Sequence, residues 1–163
     1  MDLHKAVRDP WVWGQVALIR TVAVLAPLLP RLVSLGGLDY ALNRVDQGWI
    51  RLVGAGIGIA GLALAVWGVR SLGASLTPGT EPRPGGALVT RRAYAHLRHP
   101  IYGGIVLMLA GYTIAWGNWT MGLIVGLAAR QYFEAKARAE EVWLRDRYPD
   151  YRRYALTVRR RVL

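Results

Sequence analysis

The 163-residue sequence contains no cysteine, which excludes a disulfide framework and any thiolate metal site. Histidine occurs only at His4, His96 and His99, in no spacing that a zinc site uses, so no metal is expected. Acidic residues are scarce as well: 10 Asp and Glu stand against 21 Lys and Arg, a formal net charge of +11. Long stretches lack charge of either sign. A soluble nucleic-acid-binding chain would spread its cations, whereas here they collect between and after apolar runs of about 20 residues, long enough to cross a bilayer. The expected partner is therefore a lipid bilayer and no nucleic acid. No repeats or low-complexity tracts are present, and the length suits one domain.

Four apolar runs carry the organisation. The first, 11–35, is interrupted by Arg20, Pro27 and Pro30. The arginine is expected to snorkel to an interface, and the prolines to kink the helix or end it early. Lys5 and Arg8 precede this run as in a secretory signal, but the run is long and no small-residue cleavage site follows, so a retained span is expected. The second, 49–72, is cleaner. Its Gly54 and Gly58 form a GxxxG that lets helices approach closely and permits a homodimer. From 73 to 100, prolines and glycines interleave with Ser and Thr before the basic, aromatic ALVTRRAYAHLRHP, an irregular connection of functional length.

The third and fourth runs, 101–116 and 119–133, flank an uncharged Gly117-Asn118 turn with Tyr112, Trp116 and Trp119 around it. Aromatic residues of this kind favour the membrane interface, and a helical hairpin is expected. Helical pattern then continues to Pro149, with Glu134/Arg138 and Glu141/Arg145 in the favourable i,i+4 order. The expected fold is an all-α membrane protein. It has about four transmembrane helices, including a C-terminal helical hairpin, and a long cytoplasmic helix after the last span. One integral membrane domain covers 1–163, with N-terminal spans over 1–72 and a cofactor-binding region over 73–163.

Charge gives the orientation. Arg70, Arg83, Arg91, Arg92 and Arg98 lie in the 70–100 connection and ten more Lys or Arg follow residue 129, while the 117–119 turn has none. Both termini and the long connection are expected in the cytoplasm. The 36–50 connection, where Asp39 and Asp46 balance Arg44, faces the other side. The Arg159-Arg160-Arg161 cluster reads as a contact with anionic lipid.

A hairpin returns the chain to the face it left, so its flanks meet. Together they offer Tyr94, His96, Arg98, His99, Tyr102, Glu140, Glu141, Tyr151 and Tyr154. A carboxylate can accept from an ammonium, and Arg can hold a carboxylate bidentately. Such a set suits a zwitterionic ligand with a ring. Each has a plainer reading too: His99 satisfies a helix start, the glutamates pair with Lys136 and Arg145, and Tyr151 and Tyr154 anchor the tail. At most one of Glu140 and Glu141 is expected to point inward.

The stretch LVTRRAYAHLRHPIYGG, then EE-x-x-L, then Y-x-x-Y, resembles the isoprenylcysteine carboxyl methyltransferase and phospholipid methyltransferase superfamily, over about residues 75–160. The resemblance implies a membrane-embedded methyltransferase with an S-adenosylmethionine site on the cytoplasmic face and a lipophilic or lipidated acceptor arriving from the bilayer. Carried onto this sequence, it gives Arg98, Tyr102 and Glu141 to catalysis. Cofactor contact falls to Leu88, Val89, Tyr94, His96, His99, Pro100, Tyr102, Glu140, Glu141, Leu144, Tyr151 and Tyr154, with the 88–94 backbone wrapping the adenosine. One glutamate would meet the cofactor's amino group or an arginine that organises the pocket.

The sequence departs from the pattern where Arg92-Ala93 replaces Gly-Pro and Tyr148-Pro149 replaces Phe-Gly; the first puts a glycine-dependent turn in question. Two rivals stand beside the methyltransferase. A sterol-type NAD(P)H reductase shares RHPxY but needs more spans, and a non-catalytic membrane subunit or lipid-binding module would keep the fold without chemistry. The methyl acceptor is not legible in the sequence.

Overall fold

A computed structural model of the chain describes residues 9–35, 47–77, 79–82, 85–116 and 119–163. The Arg44, Asp39 and Asp46 of the 36–46 connection, Arg83 and the Gly117-Asn118 turn lie outside the described residues. The architecture is all-helical: α1 Pro10–Leu35, α2 Gln47–Leu72, α3 Pro100–Ala115, α4 Trp119–Arg147 and α5 Tyr151–Thr157, with short 3-10 turns at Gly73–Ser75 and Arg92–Ala95.

α1 and α2 are apolar for long enough to cross a bilayer, over Pro10–Leu28 and Gly48–Ser75. Only 11% and 17% of their most apolar windows are buried inside the protein, so their outward faces are themselves apolar. Leu25, Leu28, Leu52, Ile59 and Leu62 are among the exposed side chains, which suits a lipid solvent and not a water-soluble surface. Of the two outcomes expected of the prolines in α1, an early end does not occur, for the helix runs on to Leu35. Pro27 has no N–H for the carbonyl of Ala23, and the Tyr112 hydroxyl from α3 donates to that oxygen instead, at 3.3 Å. A neighbouring helix thus satisfies the freed group, as apolar surroundings require. Gly73, in the left-handed region at φ 51°, follows the end of α2.

α3 starts with Pro100 at its first position, where a missing N–H costs nothing. Its 16 residues span about 24 Å, less than the hydrocarbon core. α4 is 29 residues long, about 43 Å, and stops before Tyr148-Pro149, where the residue ahead of proline leaves helical space.

Glycine sets the spacing of α2 on α3, which run antiparallel. A Cβ on Gly61 would lie 2.6 Å from the Gly104 carbonyl oxygen, and one on Gly54 would lie 2.5 Å from the Ala115 nitrogen. The GxxxG therefore packs within the chain. α3 packs in turn on α4, with Ala110 against Gly126 and Ile114 against Gly122, and α1 leans on α4 through Gly14 and Tyr132 and on α3 through Ala23 and Tyr112. The core between them holds Val22, Val106, Leu109, Ala129, Phe133, Ala137 and Val162. A second, smaller core of Tyr151, Tyr154 and Val158 joins Leu88, Leu144 and Tyr148. It lies where α4 has outrun the bundle.

Candidate functional site

Helix α3 begins one residue after His99, so its first turn holds the RHPIY stretch against the polar half of α4. Tyr102 donates to Glu140 Oε2 at 2.8 Å. The His99 ring lies parallel to that of Tyr102, centroids 5.3 Å apart. Its Nδ1 sits 3.5 Å from Glu140 Oε2 and its Nε2 3.4 Å from Glu141 Oε1. Burial works against charge on His99, but the two carboxylates outweigh it and raise its pKa.

Glu141 is fully buried and collects cations. Arg98 Nη1 approaches its Oε1 at 3.0 Å and Arg161 Nε at 2.9 Å, while Arg145 reaches Oε2 at 3.3 Å. Burial alone would raise the carboxyl; His99, Arg161 and Arg98 bring it down to about 2. Both glutamates therefore turn inward, where the sequence reading allowed only one. They do so in different senses. Glu140 faces the cavity described below, whereas Glu141 stands behind it and fixes Arg98 and His99.

The C-terminal tail completes this cluster. The backbone N–H groups of Arg98 and His99 donate to the carbonyls of Arg160 and Arg161 at 3.0 and 2.9 Å. Arg161 also bridges Glu141 to Glu134. Sequence reasoning had given this arginine to lipid; its guanidinium belongs instead to the buried network. A run of three arginines carries no signal that separates the two roles.

A cavity of about 380 Å³ opens beside the network, within the range of small-molecule sites. Of the residues singled out in the sequence, Leu88, Val89, Tyr94, Arg98, His99, Tyr102, Glu140, Leu144, Tyr151 and Tyr154 line it. Three do not. Glu141 lies behind the wall, Pro100 is buried at the helix start, and His96 is exposed with its ring 5.9 Å from that of Trp67. The lining residues come from segments over 60 positions apart, which the pairing of α3 with α4 brings together.

The tyrosines after α4 hold the connecting loop. Tyr154 donates to the Tyr94 carbonyl and Tyr148 to that of Gly86, both at 2.7 Å. Tyr151 is buried with no hydrogen-bond partner for its hydroxyl among the described residues. Burial pushes the pKa of Tyr94, Tyr151 and Tyr154 up, so all three remain neutral hydroxyls. The loop's turn keeps the backbone a glycine would give: Arg92 sits at φ 59°, in left-handed space that costs an L-residue about 1–2 kcal/mol.

Among the lining residues that were not expected are Lys136 and Gln15. Lys136 on α4 is 1% exposed; its Nζ donates to Gln15 Oε1 at 2.6 Å and lies 5.2 Å from the Tyr102 ring centre. Burial lowers its pKa against the pull of Glu140 and Asp9. Neither Gln15 nor Lys136 falls in a motif, and the sequence does not reveal that α1 reaches α4 here. Asp9 ties the same end of α1 to the loop by accepting from the Thr80 N–H and hydroxyl at 2.8 and 3.0 Å.

The family model for Phospholipid methyltransferase matches residues 49–151, more than half of the chain, from the first turn of α2 to the first residue of α5. No curated protein matches the chain.

Proposed function

Because the chain belongs to the phospholipid methyltransferase family, we propose that it transfers a methyl group from S-adenosylmethionine to a lipophilic acceptor at the membrane surface. One observation supports this above the others. Tyr151 Oη is a buried polar atom with no hydrogen-bond partner among the described residues, and Tyr151 lines a cavity of about 380 Å³ that holds carboxylate and cation together. Buried polar groups are ordinarily hydrogen-bonded, so an orphan in this wall points to a ligand that satisfies it.

The lining fits the cofactor's parts. Glu140 offers a carboxylate for an ammonium, Arg98 a guanidinium for a carboxylate, and Leu88, Val89 and Leu144 apolar surface for a ring. When bound, S-adenosylmethionine supplies a methyl carbon already made electrophilic by the positive sulfur beside it. The protein's task is then to hold and orient, which can supply much of the acceleration. Tyr102 fixes the Glu140 carboxylate, and Tyr154 fixes the loop backbone at Tyr94. Glu141 touches no cavity wall and acts through Arg98 and His99, so it is a positioning residue. A carboxylate acceptor needs no base, whereas an amine acceptor must lose its proton; Glu140 is the cavity-lining carboxylate placed to assist.

In this reading α3 and the first half of α4 complete a four-span bundle as a hairpin, and the cavity lies at the cytoplasmic interface. The cation clusters before α3 and after residue 129 support that orientation. Domain 1–163 is then one unit, with 73–163 forming the cofactor region.

Calorimetric titration of the detergent-purified protein with S-adenosylhomocysteine tests the proposal, with NADPH as control. Saturable binding at micromolar concentration is expected for the wild type, and loss of about tenfold or more in His99→Ala, since that change deletes a polar contact in a buried wall. Absence of wild-type binding would overturn the reading, and saturable NADPH binding in its place would indicate a reductase.

A further inference from the structure

Lys136 is the side chain of the cavity that the cofactor's needs leave unused. An ammonium has three donors. Among the described residues one donates to Gln15, the Tyr102 ring covers another side, and no carboxylate forms an ion pair with Nζ. A lysine 1% exposed and without a counter-ion is an expensive arrangement in a protein interior. Glu140 and Asp9 attract it from a distance, but the Glu140 carboxylate is engaged by Tyr102 and His99 and that of Asp9 by Thr80. What Nζ lacks among the described residues is an anion in contact.

Position says whose anion it is. Lys136, Glu140 and Leu144 recur every four residues along α4, so they share one face and line the cavity as a stripe. From Lys136 to Leu144 the stripe runs about 12 Å. Leu144 ends among the loop-clamping tyrosines Tyr148 and Tyr151, the end that suits a nucleoside. Lys136 ends three residues from Phe133, where the apolar run of α4 begins. The apolar side chains of Val69 and Ile101, from α2 and α3, line the same cavity and offer surface to a hydrocarbon chain.

We propose that Lys136, oriented by Gln15, binds the anionic group of the lipid acceptor, a phosphodiester or carboxylate, at the membrane-proximal end of the cavity. This rests on the methyltransferase reading and assigns, within its site, the residues that hold the acceptor's oxyanion. The guanidinium of Arg98, further along the cavity, is left to the carboxylate of the cofactor. Gln15 belongs to α1, so the first helix contributes to acceptor choice although it lies outside the matched residues 49–151.

The test separates the two sources of an oxyanion. Wild-type, Lys136→Met, Lys136→Arg and Gln15→Leu proteins are titrated with S-adenosylhomocysteine. Each is then titrated with dihexanoyl phosphatidylethanolamine and with dihexanoylglycerol, which lacks the phosphate. The expected result is phosphatidylethanolamine binding weakened by about tenfold or more in Lys136→Met and retained in Lys136→Arg, with S-adenosylhomocysteine affinity unchanged. Gln15→Leu should weaken the phospholipid arm in the same direction, which keeps the test open if Lys136→Met fails to fold. Loss of S-adenosylhomocysteine affinity with the phospholipid arm intact would overturn the proposal by assigning Lys136 to the cofactor. Equal binding of both lipids in wild type would overturn it too. Failure of wild type to bind S-adenosylhomocysteine would count against the enzyme reading alone, since the phospholipid arm still reads the subsite.

Discussion

Arg92 holds a backbone conformation that its side chain disfavours, φ 59°, in the turn that positions Tyr94. Glycine enters that region without a steric penalty but loses more chain entropy on folding. Subtracting about 0.5–1 kcal/mol of entropy from about 1–2 kcal/mol of strain leaves Arg92→Gly more stable by roughly 0.5–1 kcal/mol. Thermal unfolding should show a higher midpoint for Arg92→Gly and a lower one for Arg92→Val, whose branched side chain tolerates the turn least. The buried cluster gives a second prediction. Glu141, held at about 2 against an ordinary 4.5, contributes stability that is present above pH 4.5 and lost as pH falls toward 2. His99, with its pKa raised above 6.5, contributes stability that is full below pH 6.5 and lost as pH rises through its folded value. The unfolding midpoint should therefore be highest between pH 4.5 and 6.5. Glu141→Gln should lower stability at every pH in that window by about 3–5 kcal/mol, and the midpoint with it, because Arg98 and Arg161 lose their buried partner. His99→Gln should flatten the decline above pH 6.5; an unchanged slope would show that another group titrates.

Between helices, the spacing is set by the absence of side chains. On α2, Gly61 and Gly54 press on the α3 backbone, whereas a Cβ on Gly56 meets nothing within 4 Å. Gly61→Val should lower stability by about 1–3 kcal/mol through overpacking against backbone that cannot yield. Gly56→Ala should be neutral or stabilise by up to about 1 kcal/mol from helix propensity. Equal losses at both positions would indicate that α2 packs differently. The same contacts mark what could be read beforehand. Helix positions, the stop before Pro149 and the meeting of RHPIY with the Glu140-Glu141 pair all follow from local pattern plus a chain that turns back at 117–118. The destination of the GxxxG does not, because small-residue spacing announces close approach without naming the partner. Nor does the course of α1 past Pro27, which depends on a hydroxyl 85 positions away on α3. Arg161, Lys136 and Gln15 were hidden for the same reason: each acts through contacts with distant segments, and a single Arg, Lys or Gln leaves no periodicity to detect.

At the scale of the whole molecule, α4 is the ruler. Its first 15 positions, 119–133, are apolar save for Thr120, Arg130 and Gln131 and span about 22 Å, and the remaining 14 add about 21 Å of polar helix that carries Lys136, Glu140 and Glu141. In the proposed topology α4 is longer than the hydrocarbon core, which would place the cluster where the bundle ends and water begins. The Lys and Arg residues after 129 collect, in that topology, on the side that holds the cavity, the side that the positive-inside rule would place in the cytoplasm. The missing cysteines make the arrangement directly testable, because any introduced thiol is the only one in the chain. Asn118→Cys, Ala41→Cys and Thr157→Cys, produced in the inner membrane of a bacterium, are treated with a membrane-impermeant maleimide before and after cell lysis. Asn118→Cys and Ala41→Cys should react in cells whose inner membrane is intact, and Thr157→Cys only once it is broken. Reaction of Thr157→Cys in intact cells with protection of the other two would reverse the orientation and place the cavity outside. Reaction of Asn118→Cys and Thr157→Cys from the same side would mean that α3 and α4 enter the bilayer and return without crossing it.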